Sequence, residues 1–411
     1  MKYGLIGEKL GHSFSKEIHE RLGKYEYELK ELAPDELEGF IKAKDFEGIN
    51  VTIPYKEAVI PYLDETDDAA ARIGAVNTIV NRSGKLFGYN TDAYGMKSLM
   101  EKMGVDAAGK SVLIAGTGGT SKTAVYVARE LGASEVKRMS RSAKEDAISY
   151  EEAYADYADA DILINTTPSG MYPNTDAVPV DLERLPKLQV VIDAVYNPLN
   201  TKLVQAAREK CIDAEGGLYM LVAQAVMAAG LFTGEEADES AVDLVYSELT
   251  LNKSNIVLIG MPGSGKTTLG RILADKLGRE FADTDDEIVK ETGAEISDIF
   301  AKHGEEYFRN LESEVIKKMS VTGGKVIATG GGAVLRKENV DALKQNGVIV
   351  LLDRPLDDLE PTSDRPLAND SDKMRQLYEK RMPIYKECAD AIAEPEGWGE
   401  SAAGEVWRAL L

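Results

Sequence analysis

The sequence has little of what would point to a metal, a membrane or a nucleic acid. Its two cysteines, Cys211 and Cys388, lie far apart and its three histidines are scattered, so neither a disulfide framework nor a metal site is indicated. No run of ~18 apolar residues is present, which argues against a membrane-spanning helix. Lys and Arg number 48 against 70 Asp and Glu, and the net charge of -22 argues against nucleic acid and anionic membranes as partners. A local cluster of basic residues must therefore serve an anionic ligand.

What the chain does have is length and an ordinary share of apolar residues. Its 411 residues, at ~150 residues per domain, predict two or three domains, and 44% hydrophobic residues are typical of a globular protein. The residues after Met1 lack the apolar segment of a signal peptide, so we expect a cytoplasmic protein. The oligomeric state and the relative orientation of the domains stay open at this stage.

The stretch from Asn255 to Gly270 carries the strongest motif. An apolar run, Ile256 to Ile259, leads into a loop that fits G-x-x-x-x-G-K-[ST] and is followed by a helical pattern. Such a loop points backbone N–H groups at phosphate oxygens, its lysine reaches the outer phosphates and its hydroxyl ligates magnesium. The motif predicts an ATP and Mg²⁺ site built from Gly260, Gly263, Ser264, Gly265, Lys266, Thr267 and Thr268.

A second glycine turn lies in the middle of the chain. The apolar run Ser111 to Ala115 predicts a strand, and a helical pattern follows the turn. The turn is of the G-x-G-x-x-G kind, with serine in the third glycine's place. It predicts a dinucleotide site built from Gly116, Gly118, Gly119, Thr120 and Ser121.

The next predicted strand decides between nicotinamide cofactors. Val136 to Met139 is followed by Ser140, Arg141 and, shortly after, Lys144, where an NAD enzyme usually carries an acidic residue. Arg141 and Lys144 are suited to hold a 2′-phosphate, so NADP is favoured.

Polar residues stand at the ends of predicted strands in the first hundred residues, where short apolar runs alternate with helical patterns and predict an α/β layer. In their order along the chain these residues, together with the dinucleotide turn, resemble shikimate dehydrogenase, and the resemblance covers roughly residues 1 to 250. It implies that the substrate shikimate is bound by Ser13, Ser15, Thr52, Asn77, Tyr196 and Gln224. It further implies that Lys56 and Asp92 are the catalytic pair, and that Thr166, Gly217 and Met220 lie on the nicotinamide side. One departure is Lys16, where the family commonly has proline after the second serine.

The chemistry of ketone reduction suits the pair. Hydride addition builds negative charge on the carbonyl oxygen, so a positioned proton donor is needed, and Lys56 beside Asp92 in a partly desolvated cleft supplies one. The alternative is an ordinary surface salt bridge, which would contribute little to stability.

The residues after the phosphate loop resemble shikimate kinase through D-x-D, F-R-x-x-E, GGG and R-P-L segments. The resemblance implies that Asp283 holds Mg²⁺ with Thr267 and that Asp285 is the base. It also implies that Arg309, held by Glu312, joins Arg381 on the substrate carboxylate, that Gly331 and Gly332 approach the substrate, and that Arg365 sits on a lid. Alternatively, Arg309 and Glu312 are a mere helix pair.

The lid segment departs from this family's pattern. Between Pro355 and Arg365 the family usually has an additional arginine facing the nucleotide, whereas this chain has a short run without basic residues. We therefore predict a compact lid and weaker or differently made contacts to adenine.

Together these features predict an α/β protein with a three-layer substrate domain (residues 1–102 and 218–250), a Rossmann NADP-binding domain (103–217) and a P-loop kinase domain with a central parallel sheet (255–411). The predicted function is bifunctional: NADPH-dependent reduction of 3-dehydroshikimate to shikimate, and ATP-dependent phosphorylation of shikimate. Two alternatives remain. A regulator that senses metabolites would have lost catalytic groups that are present here, and a quinate dehydrogenase using NAD is disfavoured by Arg141 and Lys144.

Overall fold

The computed structural model describes residues 1–11, 13–142, 146–359 and 371–410. The chain divides into two units, Met1–Leu249 and Thr250–Leu411. Within the described ranges, no helix has both the length and the apolar character that crossing a membrane requires.

A six-stranded mixed sheet begins the first unit. Its strands are β1 (Tyr3–Gly7), β2 (Glu28–Glu31), β3 (Gly48–Val51), β4 (Glu65–Thr66), β5 (Thr78–Arg82) and β6 (Lys85–Tyr89). The order is β2-β1-β3-β5-β6-β4, and β5 runs antiparallel to both β3 and β6. The helices connecting these strands are α1 (Ser15–Leu22), α2 (Leu37–Ala43) and α3 (Asp68–Ile73), and α4 (Thr91–Lys102) follows the last strand.

A second sheet, of six parallel strands, follows in the same unit. Its strands are β7 (Ser111–Ala115), β8 (Glu135–Ser140), β9 (Ile148–Ser149), β10 (Ile162–Asn165), β11 (Val190–Asp193) and β12 (Asp213–Glu215). Between and after them lie α5 (Gly119–Glu130), α6 (Tyr150–Asp156), α7 (Lys202–Glu209), α8 (Leu218–Thr233) and α9 (Ser240–Lys253). The order β12-β11-β10-β7-β8-β9 reverses direction between β7 and β10, and ligands bind at the carboxyl ends of strands at such a switch point. The predicted Rossmann fold is confirmed.

Helix α8 covers one face of the first sheet and α2 covers the other, so this part of the first unit has three layers. Neighbouring strand residues point to opposite faces. Leu5 packs with Phe232 of α8, whereas Ile6 packs with Ile41 of α2 on the other face. Burying each such side chain stabilises the fold by roughly 1.5–3 kcal/mol.

The second unit is built on a five-stranded parallel sheet, as predicted. Its strands are β13 (Asn255–Ile259), β14 (Glu280–Asp283), β15 (Lys325–Ala328), β16 (Gly347–Leu352) and β17 (Ala391–Ala393), in the order β14-β15-β13-β16-β17. Its helices are α10 (Lys266–Leu277), α11 (Thr284–Thr292), α12 (Ile296–Ser320), α13 (Lys337–Asn346), α14 (Ser371–Cys388) and α15 (Glu400–Arg408). From Ile256 to Ile259, β13 is apolar because Val257 and Leu258 enter different cores on the two faces of the sheet.

Helix α9 is longer than the sequence predicts. The pattern placed its end at Leu249 and a five-residue connection after it, but the helix continues to Lys253. The intervening residues include no glycine or proline, which would end a helix. Arg279 donates hydrogen bonds to the carbonyl oxygens of Leu251 and Ser254, and these bonds supply partners to carbonyl groups that the end of the helix leaves unpaired.

An aromatic cluster surrounds the fully buried His19. The alternation of Tyr25 and Tyr27 predicts strand, but β2 begins only at Glu28. The reason is that both tyrosines pack around the imidazole: Tyr27 stacks on it at 3.9 Å between ring centroids, and the Tyr25 hydroxyl lies 2.8 Å from Nδ1. Burial lowers the pKa of His19 to about 3, although a hydrogen bond with Asn50 opposes the shift.

We expect His19 to make the first unit sensitive to acid. The folded pKa lies below the ordinary value of 6.5, so the unfolded chain takes up the proton first as the pH falls. The contribution of the neutral imidazole is complete above that value and is lost toward about pH 3, by up to ~1.4 kcal/mol per pH unit. In urea unfolding of the first unit, His19→Phe should lose less stability than the unmodified chain between neutral pH and about pH 5. Identical losses in the two proteins would contradict this expectation.

Candidate active sites

Lys56 and Asp92 form a close ion pair in the first unit. The Lys56 Nζ lies 2.5 Å from the Asp92 Oδ2, and the two side chains are only 16% and 11% exposed. Lys56 lies just beyond the end of β3, and Asp92 lies in the first turn of α4, where the helix dipole favours a carboxylate. The side chain of Asn90 caps that helix by accepting a hydrogen bond from Ala93 N. The pair is therefore held in one arrangement and shielded from water.

Asn77 and Gln224 meet through Thr91, to which the sequence pattern assigned no role. The Asn77 Nδ2 donates to the Thr91 Oγ1 at 3.0 Å and to the Gln224 Oε1 at 3.4 Å, and the Asn77 Oδ1 accepts from Thr91 N at 2.7 Å. All three residues are buried, Thr91 with only 2% of its surface exposed. Because Thr91 stands next to Asp92, this network fixes the two amides relative to the Lys56 and Asp92 pair.

A second layer of polar residues supports this network from behind. The Asn50 Nδ2 donates to the Thr78 Oγ1 at 3.0 Å, and the Asn50 Oδ1 accepts from the Tyr27 hydroxyl at 2.7 Å. Thr78 is completely buried and its hydroxyl lies 3.1 Å from that of Thr91. Neither Asn50 nor Thr78 was predicted as a site residue, and their closeness in the chain to Thr52 and Asn77 was the available signal.

Ser13, Ser15 and Tyr196 lie together at the start of α1. Ser15 N donates to the Ser13 Oγ at 3.2 Å. Burial raises the pKa of the Tyr196 hydroxyl, and a hydrogen bond with Ser13 opposes the shift. Helix α1 begins at Ser15, so Lys16 occupies its first turn, where proline is also tolerated. The departure from the family pattern therefore leaves both serines in place.

The dinucleotide turn between β7 and α5 is tightly built. Gly116 has a φ of +112°, and a Cβ there would come within 2.6 Å of the Thr166 Oγ1 at the end of β10. The Ser121 Oγ donates to the carbonyl of Gly118 at 2.6 Å, so serine fills the third glycine's place without opening the turn. A Cβ on Gly217 would overlap the backbone of Ala194. The turn thus presents backbone N–H groups at the start of α5, as a pyrophosphate requires.

The same turn lies directly beside Lys56. A Cβ on Gly119 would be 3.6 Å from the Lys56 Cδ, and the Lys122 Nζ forms a 2.9 Å ion pair with Glu57. The dinucleotide turn of the second sheet and the polar residues of the first sheet therefore face one cleft. A dinucleotide held at this turn would therefore lie close to the Lys56 and Asp92 pair.

The remaining residues predicted to touch the dinucleotide are placed as follows. Arg141 directly follows β8 and is exposed, which suits a contact with a phosphate. Lys144 lies outside the described residues. Thr120 is half-buried in the turn. Met220 is 6% exposed and packs in the apolar core formed with α4, and its predicted contact with nicotinamide stays a prediction.

The phosphate loop of the second unit has the backbone its motif requires. Gly260, Gly263 and Gly265 have φ values of +143°, +82° and +92°, a region open mainly to glycine. The Lys266 Nζ donates to the carbonyls of Gly260 and Met261, at 2.9 Å each, and so stays inside the loop. Ser264 is buried and Thr268 is exposed at the start of α10. This cradle fits a polyphosphate.

Thr267 and Asp283 place oxygen atoms beside that cradle. The Thr267 Oγ1 donates to the Asp283 Oδ2 at 2.7 Å. The other oxygen of Asp283 accepts from Asp285 N at 3.0 Å, because Asp283 is the N-cap of α11. Hydroxyl and carboxylate oxygens are the ligands that Mg²⁺ prefers.

The three glycines Gly330 to Gly332 lie amid the predicted acceptor residues. A Cβ on Gly330 would be 2.9 Å from the Asp285 Oδ1, and one on Gly332 would overlap the guanidinium of Arg309. The Arg381 Nη1 donates to the carbonyl of Gly331 at 3.0 Å. A Cβ on Gly331 would also lie 3.3 Å from Pro262 of the phosphate loop. The acceptor pocket and the phosphate cradle are therefore adjacent.

Arg309 and Glu312 are more than an exposed helix pair. Their atoms approach to 2.6 Å, and Glu312 is completely buried beneath the pocket. Burial raises the pKa of Glu312, and the charge of Arg309 opposes the shift. Tyr385, to which the sequence pattern assigned no role, donates its hydroxyl proton to the carbonyl of Gly331. Arg365 and the part of the predicted lid from residue 360 onward lie outside the described residues.

The fold and the two sites define the class of the protein: a two-sheet nicotinamide-dinucleotide dehydrogenase joined in one chain to a P-loop kinase. The comparisons with known proteins specify both parts. A shikimate dehydrogenase substrate-binding domain model matches residues 5–79, and a shikimate kinase model matches residues 262–410.

The relatives of the first part are close. The shikimate dehydrogenase (NADP(+)) of Clostridium perfringens strain SM101 is 38% identical over 268 residues, covering 60% of this chain and 97% of the relative. The crystal structure of shikimate dehydrogenase 1 from Peptoclostridium difficile is 37% identical, with a TM-score of 0.56, and covers 61% of this chain and 98% of that one. The Thermus thermophilus shikimate 5-dehydrogenase, solved with NADP(H) and shikimate, is 30% identical, with a TM-score of 0.54, and the match covers 60% of this chain and 99% of that one. The chain belongs to the shikimate dehydrogenase family, and a shikimate kinase domain follows in the same chain.

Proposed function

We propose that this protein reduces 3-dehydroshikimate to shikimate with NADPH in its first unit and phosphorylates shikimate to shikimate 3-phosphate with ATP in its second. One observation carries the proposal: in each unit the polar substrate residues adjoin that unit's own glycine turn. Gly119 lies against Lys56 in the first unit, and Gly331 lies against Pro262 in the second. The product of the first reaction is the substrate of the second.

In the first unit, NADPH supplies the hydride when bound. Lys56 donates a proton to the carbonyl oxygen of the substrate as negative charge develops there, and Asp92 holds the ammonium group in position. Asn77 and Gln224 bind substrate hydroxyls with amides that Thr91 keeps oriented. Ser13, Ser15, Thr52 and Tyr196 complete the pocket, with the serines and Tyr196 meeting at the start of α1.

In the second unit, ATP supplies the phosphoryl group and Mg²⁺ neutralises its charge when both are bound. Asp285 orients the acceptor hydroxyl and takes its proton. Arg309 and Arg381 bind the substrate carboxylate, and Glu312 holds Arg309 flat beneath Gly332. Guanidinium groups match a carboxylate with two parallel hydrogen bonds, which a lysine does not provide. Lys266 stabilises the outer phosphates, and Thr267 with Asp283 holds the metal.

We also propose the predicted division into residues 1–102 with 218–250 for substrate, 103–217 for NADP and 255–411 for the kinase. The mixed sheet and α8 fall in the first part and the six-stranded parallel sheet in the second, which supports it. The partners are small molecules rather than nucleic acid or membrane. The cytoplasm is the proposed location because both NADPH and ATP are supplied there.

Replacing Arg141 by alanine should weaken the binding of NADPH but not that of NADH. Its guanidinium directly follows β8, where a 2′-phosphate is held, and a charged hydrogen bond is worth about 1.5–3 kcal/mol. We expect KM for NADPH to rise by about 10- to 100-fold, with KM for NADH unchanged. Arg129, an arginine near the end of α5, is the matched control: Arg129→Ala should leave KM for both cofactors unchanged. An equal loss for both cofactors would show that Arg141 does not read the phosphate.

The proposal is tested by assaying each half-reaction alone. Loss of NADPH absorbance with 3-dehydroshikimate, and release of ADP with shikimate, are the expected results. Preferential oxidation of quinate with NAD would favour the quinate dehydrogenase alternative. Tight binding of both substrates without turnover of either would favour a metabolite-sensing regulator.

A further inference from the structure

The residues Gly330–Gly332, which we call the glycine strip, carry two open backbone amides. Within the described part of the chain, the N–H groups of Gly331 and Gly332 donate no hydrogen bond, although Gly332 is buried. Nearly all buried N–H groups in proteins have a partner, because leaving one without an acceptor is costly. Gly332 lies against the guanidinium of Arg309, in the pocket proposed for the acceptor. A ligand in that pocket is therefore the partner that these two amides lack.

The carbonyl groups that precede the two open amides are both held by hydrogen bonds. The Gly330 carbonyl accepts from Ala333 N at 3.1 Å. The Gly331 carbonyl accepts from the Arg381 Nη1 at 3.0 Å and also from the Tyr385 hydroxyl. A peptide group is planar, and in its trans form the N–H points opposite to the C=O. The cis peptide bonds of the described residues all precede proline, so holding these two carbonyls fixes the direction of the two amides.

Tyr385 holds the glycine strip from helix α14. It follows Arg381 by four residues, about one helical turn, so both side chains reach the Gly331 carbonyl from the same face of the helix. Burial raises the pKa of the Tyr385 hydroxyl, and the charge of Arg381 opposes the shift, so the hydroxyl is protonated at neutral pH and donates. The side chain is only 1% exposed. Tyr385 is thus placed to act through the strip rather than directly on a ligand.

Thr284 holds the first residue of the strip. It stands between Asp283 and Asp285 at the start of α11 and is completely buried. Its Oγ1 accepts a hydrogen bond from Gly330 N at 2.8 Å. A Cβ on Gly330 would lie 2.9 Å from the Asp285 Oδ1, so the strip and the proposed base are close neighbours. The bond from Gly330 to Thr284 therefore fixes the strip relative to Asp285.

We propose that Tyr385 and Thr284 are positioning residues, which hold the glycine strip so that the amides of Gly331 and Gly332 donate hydrogen bonds to oxygen atoms of the acceptor. The proposal rests on the proposed kinase function and deepens it. Amides that are already oriented bind an oxygen without rearrangement of the backbone. A carbonyl that accepts two hydrogen bonds also polarises its peptide group, which strengthens the Gly332 N–H as a donor.

Removing the Tyr385 hydroxyl is the first test. Tyr385→Phe keeps the ring, and KM for shikimate, measured by ADP release without NADP, should rise by about 2- to 12-fold, the contribution of one hydrogen bond. KM for ATP, kcat and the reduction of 3-dehydroshikimate should change little. Tyr378, a half-buried tyrosine on the same helix, supplies the matched control, and Tyr378→Phe should leave every constant unchanged.

Two substitutions of Thr284 separate positioning from packing. Thr284→Val keeps the shape of the side chain but leaves Gly330 N without an acceptor, so KM for shikimate should rise at least as much as in Tyr385→Phe. Thr284→Ser keeps the hydroxyl and loses only a methyl group, so most of the affinity for shikimate should return. A role in packing alone predicts the opposite order, with serine worse than valine, and that order would overturn the proposal.

A spectroscopic measurement tests the strip without turnover. Glycine labelled with ¹³C at the carbonyl and with ¹⁵N gives amide signals selected for a preceding glycine, and the chain has five such amides: Gly119, Gly217, Gly324, Gly331 and Gly332. Tyr385→Phe should move at least one of these five signals, because the Gly332 amide shares a peptide group with the carbonyl that Tyr385 holds. Tyr378→Phe should move none.

The outcomes distinguish this proposal from the kinase function beneath it. An unchanged KM for shikimate in Tyr385→Phe, an equal rise in KM for ATP, or five unmoved amide signals would overturn the positioning role. If the unmodified protein releases no ADP with shikimate while Tyr385→Phe moves an amide signal, the proposed kinase function is contradicted and the hold of Tyr385 on the strip stands.

Discussion

The Lys56→Met variant is expected to lose ketone reduction by about 10²- to 10⁴-fold, the usual contribution of a positioned proton donor. Methionine matches the lysine side chain as far as Cε but lacks the ammonium group and so has no proton to give. The Lys56 side chain is 16% exposed, and its Nζ lies 2.5 Å from the Asp92 carboxylate. Phosphorylation of shikimate should be unchanged, because Asp285, Arg309 and Lys266 all belong to the other unit.

The controls for this variant separate chemistry from folding. Lys42→Met removes an exposed lysine that pairs with Glu38 on α2 and should leave both activities unchanged. Binding of NADPH to Lys56→Met, measured by fluorescence of the cofactor, should persist because the dinucleotide turn is intact. A Lys56→Met enzyme that reduces 3-dehydroshikimate at more than about a tenth of the normal rate would remove Lys56 from the proposed mechanism.

The Asp285→Asn variant should show the reverse pattern, with kinase activity lowered by about 10²- to 10⁴-fold and reduction intact. Asparagine has nearly the same shape but accepts a proton poorly. The carboxylate adjoins Gly330, in the pocket that also contains Arg309 and Glu312. The loss should appear in kcat, measured by ADP release at saturating shikimate and ATP.

The neighbouring aspartate offers a matched control. Asp286 is 68% exposed and pairs with Arg271 on the surface, so Asp286→Asn should behave like the unmodified protein. Should Asp285→Asn raise KM for shikimate while keeping kcat, Asp285 would be a binding group only, and the proton acceptor would have to be sought elsewhere.

Local motifs made the fold and the two glycine turns predictable. Gly116 to Ser121 and Gly260 to Thr267 each run from the end of a strand into the first turn of a helix, and the local apolar pattern reveals both elements. The local sequence pattern also predicted the parallel sheets, because β7, β10 and β13 are formed largely by short apolar runs. The end of α9 was misjudged because Arg279, which satisfies its last carbonyls, comes much later in the chain.

What the sequence did not reveal are contacts between residues far apart in the chain. Thr91 donates a hydrogen bond to Gln224, which lies 133 positions later in the chain. The guanidinium of Arg354, just after β16, lies over the ring of Trp398, in the loop after β17. Neither contact leaves a spacing or a periodicity that a single sequence displays. The roles of the aligned site residues stay predictions that the variants above test.

The most direct measurement supplies 3-dehydroshikimate, NADPH, ATP and Mg²⁺ to the purified chain and identifies the products. The account predicts shikimate 3-phosphate, with one NADPH oxidised and one ADP released for each molecule formed. Without ATP the reaction should stop at shikimate, and without NADPH neither step should occur. If the chain neither oxidises NADPH with 3-dehydroshikimate nor turns over ATP with shikimate, the account of two linked sites is contradicted.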